Sequence, residues 1–315
     1  MHVRNSVLFI VGPTAVGKSK IALEVALELQ GEIISADSMQ VYRGMDIGTA
    51  KPTKPDRAIV PHHLIDILDP SESFSAFDFY EKSLANIRAI AERGCLPMVV
   101  GGTGFYIRTL LAGISPEIGD TREIREKLDA ETAACGLSVL YDRLKEIDPD
   151  RANKIMPRDK KRILRALEIF EISGKKPSTL PTSSISLESL GFNPIIVGLT
   201  MDRKILYERI QQRVDQMFDQ GLLSEVQQLK TQDLSKTAQQ AVGYKEILDR
   251  LKEPQNLDKP LMLEKISEDI KMNTRHLAKR QWTWFRKEKN VYWLDALGPS
   301  VPSEVIEYVR SALKP

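Results

Sequence analysis

The chain alternates short apolar runs with longer amphipathic segments. The apolar runs cover residues 7–11, 32–37, 97–100, 194–199 and 291–294. The segments with helical spacing cover residues 21–29, 77–93, 202–220, 261–285 and 301–313. Short apolar runs separated by helices are typical of buried strands in a parallel sheet, so the pattern predicts an α/β core.

A central stretch, residues 120–182, interrupts this alternation. It has helical patterns rich in charge, contains no strand-like run and closes in a tail rich in Ser, Thr and Pro. We therefore expect a helical insertion at residues 119–191, within a core formed by residues 1–118 and 192–315.

Bulk composition indicates a soluble globular protein. Hydrophobic residues make up 42% and charged residues 28% of the 315 positions, and the net charge of +2 alone indicates no class of partner. No apolar run approaches membrane-spanning length, and the first residues lack the apolar segment of a signal peptide. Cys95 and Cys135 lie far apart, which argues against a disulfide scaffold or a zinc site. We expect a cytoplasmic protein with no membrane partner.

A glycine-rich loop follows the first apolar run. Its residues match G-x-x-x-x-G-K-[ST] without a gap: Gly12, Pro13, Thr14, Ala15, Val16, Gly17, Lys18 and Ser19. Between a strand and a helix, the backbone N–H groups of such a loop cradle a di- or triphosphate. Lys18 would reach the terminal phosphates, and the Ser19 hydroxyl would bind Mg²⁺. The predicted fold is α/β, a P-loop NTPase-like parallel sheet core flanked by helices, with an all-helical insertion domain.

Two further polar residues follow predicted strands. Asp37 ends the second apolar run, and Thr103 lies within Gly101-Gly102-Thr103-Gly104, directly after the third. Ligands of open α/β sheets bind beyond the carboxyl ends of the strands, so both residues are candidates for the same crevice. Asp37 is equally compatible with a turn or a helix N-cap, and the Thr103 segment with a plain tight turn.

Other polar residues give weaker signals. Adjacent His62 and His63 would face opposite sides of a strand, so a shared metal ion is not expected. The apolar run before Asp66 is too short for the metal-binding strand of an NTPase. Arg209 and Arg213 lie four residues apart on one helix face and therefore point to the same place.

Two segments are strongly basic. The first has one acid, Asp159, and seven basic residues: Arg151, Lys154, Arg158, Lys160, Lys161, Arg162 and Arg165. The second is a helix face with the residues Lys271, Arg275, Lys279, Trp282 and Arg286, and no acid occurs between positions 271 and 287. Such clusters indicate a polyanion, and a stacking aromatic is typical of RNA binding. A solvated helix with Trp282 and Trp284 in the core is the alternative.

The combination of a phosphate cradle with basic surfaces reduces the number of protein classes that fit the sequence. A small-molecule kinase would use the cradle but leave the basic surfaces without a role. A helicase-type motor needs a strong metal-binding strand, which the sequence lacks. A transferase that joins a diphosphate compound to a polynucleotide would use both features.

Several motifs beyond the loop resemble those of the bacterial tRNA dimethylallyltransferase (tRNA isopentenyltransferase) family. They are residues 35–52, Pro61-His62-His63, Gly101-Gly102-Thr103, residues 159–168, Ala241-Val242-Gly243-Tyr244 and residues 274–281. The resemblance covers nearly the whole chain. It implies transfer of the dimethylallyl group of dimethylallyl diphosphate to N6 of the adenosine 3′ to the anticodon, in tRNAs that read codons beginning with U.

The resemblance also implies roles for single residues. Asp37 would take a proton from the adenine N6, Thr103 would hold the diphosphate or the reacting end, and Arg213, or else Arg209, would neutralise pyrophosphate. The loop and Ser19-bound Mg²⁺ would stabilise the departing diphosphate.

The tRNA contacts that the resemblance implies form four segments and two single positions. They are Asp37, Ser38, Met39 and Gln40; Thr103; Arg125; Lys161, Arg162, Ile163, Leu164 and Arg165; Ala241, Val242, Gly243, Tyr244, Lys245 and Glu246; Thr274, Arg275, His276, Leu277, Ala278, Lys279, Arg280 and Gln281. A monomer is expected. The alternatives are an adenylate isopentenyltransferase, which acts on free nucleotide, and a small-molecule P-loop kinase.

Overall fold

The computed structural model describes residues 5–114, 122–180, 185–252 and 260–313. The strands in these ranges are β1 (Ser6–Val11), β2 (Gly31–Ala36), β3 (His62–His63), β4 (Leu96–Gly101), β5 (Asn193–Thr200) and β6 (Val291–Asp295). They form one parallel sheet in the order β3-β2-β4-β1-β5-β6. The predicted α/β class with a P-loop-like parallel sheet is confirmed.

The helices of the described ranges follow in chain order. They are α1 (Lys18–Leu29), α2 (Lys54–Ile59), α3 (Ala76–Glu92), α4 (Gly104–Ala112), α5 (Arg122–Cys135), α6 (Leu137–Ile147), α7 (Pro149–Ala152), α8 (Lys160–Ser173), α9 (Arg203–Asp219), α10 (Leu222–Leu229), α11 (Tyr244–Leu251), α12 (Pro260–Phe285) and α13 (Val301–Ala312). Within these ranges, none is long and apolar enough to cross a membrane.

The connection between β2 and β3 is rich in glycine and proline and contains the short helix α2. The Thr53 hydroxyl accepts the Asp56 N–H, and the Asp56 carboxylate accepts the Thr53 N–H, which together form a capping box. Pro55 in the first turn has no N–H that needs an acceptor. These local bonds start a short helix within a segment whose glycine and proline content is otherwise typical of loops.

The centre of the sheet is buried, because helices cover its faces and other strands lie on both sides of it. All six residues of β1 are buried, which explains the uninterrupted apolar run at residues 7–11. Leu8 and Ile10 lie in one cluster with Val25 of α1 and Val305 of α13. Phe9, between them in sequence, points to the opposite face.

The order of the strands places three strand ends side by side. β4 lies between β1 and β2, with Gly101 in register with both Val11 and Ala36. The residues that follow these positions are the glycine-rich loop, the Gly102 turn and Asp37. Parallel pairing therefore brings three separate sequence motifs to one edge of the sheet.

Contacts divide the chain into two units, residues 1–113 with 185–315 and residues 114–184. The second unit contains α5 to α8 and has a hydrophobic core of its own. Leu128, Leu144, Ile163 and Leu167 are completely buried in that core. A separate core is what a helical insertion needs in order to keep its own shape.

Candidate active site

The loop between β1 and α1 turns sharply because two of its glycines adopt backbone angles that other residues avoid. Gly12 has φ +150° and Gly17 has φ +108°. A Cβ on Gly12 would lie 2.6 Å from the Leu199 carbonyl oxygen, so the loop begins in close contact with β5. Ala15 has a positive φ of 65° although it carries a Cβ, which marks local strain. The second half of this tight loop leads into the N-terminus of α1.

Lys18 begins α1, and its side chain folds back over the loop. Its Nζ donates to the carbonyl oxygens of Gly12, at 3.0 Å, and Pro13, at 2.8 Å. Burial is the main cause that lowers the pKa of Lys18 to about 7, followed by the positive charge of Arg213, while Asp37 acts in the opposite direction. The surrounding negative charge is thus too small to balance the Lys18 ammonium group, and a bound phosphate would supply the balancing charge.

Asp37 follows β2 and combines a structural with a free carboxylate oxygen. Its Oδ1 accepts the N–H of Met39 at 2.8 Å and of Gln40 at 3.4 Å, so Asp37 is also the turn residue that the sequence allowed. In the described part of the chain no hydrogen bond reaches its Oδ2. One oxygen therefore fixes the side chain and leaves the other for chemistry.

Thr103 supports the turn that carries Asp37. Its N–H donates to the Ala36 carbonyl, and its Oγ1 accepts the Ser38 N–H, each at 3.2 Å. Gly101 is required beside it, because a Cβ there would lie 2.2 Å from the Ala36 oxygen. The Thr103 hydroxyl, predicted to hold diphosphate, therefore accepts a backbone hydrogen bond in this structure. Thr103 is not among the residues that line the cavity of the site, although Gly101 and Gly102 are.

Arg209 and Arg213 approach the loop from α9. The Asp202 carboxylate caps the N-terminus of this helix, accepting the N–H groups of Lys204 and Ile205. Arg209 comes close to Gly17, with Nη1 3.8 Å from the position of a Cβ there. Burial lowers the pKa of Arg213, and the charge of Asp37 opposes this shift. Both guanidinium groups add positive charge to the cradle.

A cavity of about 790 Å³ joins these elements. Several predicted site residues line it: Thr14, Ala15, Gly17, Lys18, Ser19, Asp37, Gln40, Arg209, Arg213, Leu277 and Gln281. Its size is that of a small-molecule site. The structure thereby brings the loop, the Asp37 turn and two helices together around one space.

The opposite wall of the cavity, residues 46–57, is held by a carboxylate that the sequence did not single out. Glu225 accepts the N–H groups of Asp46, Ile47 and Gly48 at 2.9, 2.8 and 3.3 Å, and the Tyr244 hydroxyl at 2.6 Å. Gly48 leaves room for the Tyr244 ring, which a Cβ would approach to 2.4 Å. Four donors on one carboxylate fix the wall in place.

The buried ammonium group of Lys51 is the centre of an ion-pair cluster at the same wall. Lys51 Nζ contacts the carboxylates of Asp46 and Asp66 and donates to the Tyr42 carbonyl oxygen. Arg57 completes the cluster with a 2.6 Å contact to Asp66. Lys51 and Arg57 lower the pKa of the Asp66 carboxyl against the effect of its burial. Asp66 is therefore an ion-pair partner and not the magnesium ligand of an NTPase.

The residues around the loop fit a magnesium ion held mainly by phosphate oxygens. Ser19 is exposed in the first turn of α1, where its hydroxyl is available to a ligand. Within the described ranges no group of three or more His, Cys, Asp or Glu could hold a metal by itself. His62 and His63 have separate partners, the Val60 carbonyl and Glu32. Mg²⁺ is commonly bound by one or two protein oxygens with phosphates and water.

Some residues that the resemblance assigned to tRNA contacts are buried. These residues are Ile163, Leu164, Ala241, Gly243, Tyr244 and Ala278. Because they lie in the interior, their side chains are not available for direct contact with RNA. Tyr244 instead holds Glu225, and Glu246 caps the Gly243 N–H at 2.8 Å. Sequence blocks mix contact residues with packing residues because neighbours on a helix face different directions.

The basic face of α12 is narrower than its sequence indicated. Lys271 pairs with Asp215 of α9 at 2.7 Å and with Glu268 at 3.1 Å, and only 12% of its side chain is exposed. Arg275 lies over the Tyr207 ring. Exposed cations of the two basic segments include Lys279, Arg280 and Arg286, and in the helical unit Lys161 and Arg162. Arg125 and Arg165 of that unit both pair with Glu168.

The tryptophans of α12 are partly packed. Trp284 meets Gly104, where a Cβ would lie 2.3 Å from its ring, and its edge contacts Phe105 with ring centroids 6.5 Å apart. Trp282 is half-buried. The structure thus supports the packing alternative for Trp284.

Comparisons with known proteins agree with this geometry. The sequence profile of the family described as IPP transferase matches residues 40–288, and that of isopentenyl transferase matches residues 5–58. A tRNA dimethylallyltransferase of Bacillus anthracis is 44% identical over 99% of this chain and 97% of its own. The crystal structure of a tRNA isopentenylpyrophosphate transferase from Bacillus halodurans is 41% identical, covers 98% of this chain and 96% of its own, and superposes with a TM-score of 0.70. A eukaryotic dimethylallyltransferase studied acting on tRNA is 30% identical, covers 99% of this chain and 80% of its own, and gives a TM-score of 0.80.

Sheet order and glycine-rich loop define an α/β protein with a P-loop-like core, and its relatives show that it is an enzyme of the transferase class. Within that class, the matches over nearly the full length show that the chain belongs to the IPP transferase family.

Proposed function

We propose that the protein transfers the dimethylallyl group of dimethylallyl diphosphate to N6 of the adenosine 3′-adjacent to the anticodon, in tRNAs that read codons beginning with U. The products are N6-(dimethylallyl)adenosine in tRNA and diphosphate. The observation that carries the proposal is one cavity with the phosphate loop on one side and the Asp37 carboxylate beside it. Membership of the family supports the choice of reaction.

The loop would stabilise the leaving diphosphate. Cleavage of the allylic C–O bond moves negative charge onto the diphosphate oxygens. Lys18 and the backbone N–H groups at the start of α1 are placed to donate to these oxygens, and Arg213 adds a second positive charge. Ser19 would hold Mg²⁺, which when bound supplies further neutralisation of the departing group.

Asp37 would act as the general base. The exocyclic amine of adenine loses a proton as its nitrogen bonds to the allylic carbon, so an acceptor within hydrogen-bond reach is needed. Oδ1 of Asp37 is engaged in the turn through Met39 and Gln40, so Oδ2 would be the oxygen that takes up this proton. Thr103 would contribute by fixing that turn through Ser38.

The acceptor base would have to leave the anticodon-loop stack to enter the cavity. Exposed cations are available to hold the RNA backbone during that step. Lys279 and Arg280 lie on α12 between Leu277 and Gln281, both of which line the cavity. In the helical unit, Lys161 and Arg162 are proposed as a second contact.

Labelled dimethylallyl diphosphate, offered with unmodified tRNA or with AMP, tests the proposal. Label in tRNA is expected, and Asp37→Asn should remove it, since the amide is isosteric but cannot take up the proton. Label in AMP alone would reject the tRNA acceptor in favour of an adenylate isopentenyltransferase. Phosphate transfer from ATP to a small metabolite, without prenyl transfer, would indicate a kinase.

A further inference from the structure

Glu225 of α10 binds donors from two parts of the chain that are distant in sequence. Its Oε2 accepts the N–H groups of Asp46 and Ile47, and its Oε1 accepts the Gly48 N–H and the Tyr244 hydroxyl. Burial, followed by the charge of Glu225, raises the pKa of Tyr244, so this hydroxyl remains a donor at neutral pH. Glu225 is not among the described residues that line the cavity. Any effect it has on the reaction must therefore pass through the residues that it holds.

Gln40 joins the same cavity wall to the turn that carries Asp37. Its Nε2 donates to the carbonyl oxygens of Thr49 and Ala50, at 3.2 and 3.5 Å, and its Oε1 accepts the Ser35 hydroxyl of β2 at 2.9 Å. Its backbone N–H donates to Oδ1 of Asp37 at 3.4 Å. The carboxamide is thus held at both ends, by the sheet and by the wall, and this fixes the backbone that binds Asp37.

The bonds of Glu225 and those of Gln40 meet in one short stretch of chain. The Ala50 N–H donates to the Ile47 carbonyl oxygen at 3.0 Å, so the residues bound by Glu225 and the residues bound by Gln40 belong to one turn. A shift of this turn would move the carbonyl groups that hold the Gln40 side chain. The series of bonds therefore leads from Glu225 to the carboxylate of Asp37.

We infer that Glu225 is a positioning residue for prenyl transfer, which fixes the cavity wall and, through that wall, the Asp37 carboxylate. The inference rests on the proposed function, in which Asp37 takes the proton of the acceptor amine. That step requires the two atoms to lie within hydrogen-bond reach, and a misplacement of about 1 Å, caused by a change far from the chemistry, can lower a rate about a hundredfold. Pyrophosphate affinity should not change, because none of these bonds involves the phosphate loop.

Three variants weaken the series of bonds to different degrees. Glu225→Ala removes the acceptor of all four donors, and Tyr244→Phe removes one donor and leaves the other three. Glu225→Gln keeps one oxygen in place but loses the charge. Asp78→Ala is the matched control, because this carboxylate accepts the Ser75 N–H in the capping box of α3. Its loss destabilises a helix end without removing a bond of the wall.

The measured quantity is the rate constant of a single turnover, with saturating dimethylallyl diphosphate and with folded enzyme in saturating excess over unmodified tRNA. Under these conditions the rate constant does not depend on the amount of enzyme, so partial unfolding leaves it unchanged. We expect it to fall about a hundredfold in Glu225→Ala, and by less in Tyr244→Phe and Glu225→Gln. The dissociation constant of pyrophosphate should stay at the wild-type value in all three variants. Asp78→Ala should lower the melting temperature and keep the wild-type rate constant.

A wild-type rate constant in Glu225→Ala would overturn the inference and leave the proposed function intact. If that variant does not fold, wild-type rate constants in both Tyr244→Phe and Glu225→Gln have the same meaning. An equal fall in Asp78→Ala would also overturn the inference, because the effect would then follow from lower stability. So would a loss of pyrophosphate affinity in the Glu225 variants, since Glu225 would then act on substrate binding. Wild-type protein that transfers no prenyl group to tRNA would refute the proposed function first.

Discussion

Diphosphate binding should depend on pH through Lys18. The pKa of this ammonium is lowered to about 7, first by burial and then by Arg213. A bound diphosphate places negative charge against Nζ and raises that pKa, so binding takes up a proton wherever the free side chain is neutral. Affinity for pyrophosphate is therefore expected to fall as the pH rises above about 7.

The size of the effect follows from the pKa. At about pH 8, one unit above the pKa, about 90% of Lys18 is neutral in the free protein, so binding should draw in about 0.9 proton. Above the pKa of the free side chain, affinity should decrease about tenfold per pH unit, or about 1.4 kcal/mol, until the pKa of the complex is reached.

Calorimetric titration with pyrophosphate in two buffers of different ionisation enthalpy measures this proton uptake. Lys18→Arg is the matched control, because a guanidinium stays charged throughout the range and the ionisation of pyrophosphate is common to both proteins. Wild-type protein should take up about 0.9 proton more than the variant at about pH 8. Equal uptake by the two proteins would refute the argument.

Three further outcomes are expected. Asp37→Ala should abolish prenyl transfer but leave tRNA affinity nearly intact, and a comparable loss of affinity in a gel-shift assay would make Asp37 an RNA anchor. Lys279→Ala should weaken tRNA binding and reduce the salt slope by about one, whereas Lys271→Ala should not, because Lys271 is already ion-paired; similar slopes for the two variants would contradict the exposure argument. Tyr244→Phe removes the 2.6 Å bond to Glu225 and should cost about 1.5–3 kcal/mol of unfolding free energy, and an unchanged denaturation curve would show that the bond contributes nothing.

Much of the fold and the location of the site could be predicted because the relevant information is local. A run such as residues 7–11 is apolar throughout since a central parallel strand is buried on both faces, and β1 confirms this. The phosphate loop is built from consecutive residues whose glycines permit the required backbone angles. Asp37 became a candidate through one general rule about the carboxyl ends of strands.

Long-range contacts set the limit of this reasoning. The basic face of α12 includes Lys271 in sequence, but Asp215 on another helix neutralises it. The block that includes Tyr244 resembles an RNA contact, whereas its ring and hydroxyl are buried against Gly48 and Glu225. Neither partner is visible in a local pattern, because helices that pack together are separated in the chain.

The glycine-rich loop shows which features the sequence determined and which depended on the tertiary structure. By itself the sequence determined the tight loop at residues 12–19, whose glycines permit its backbone angles, and predicted it as a phosphate cradle. Only the tertiary structure placed Asp37 and Arg213 around that cradle and brought Gln281 from 267 residues away onto Thr14. The physical reason is that such a loop is formed by neighbouring backbone groups, whereas the charges around it come from side chains that the packing of sheet and helices brings to it.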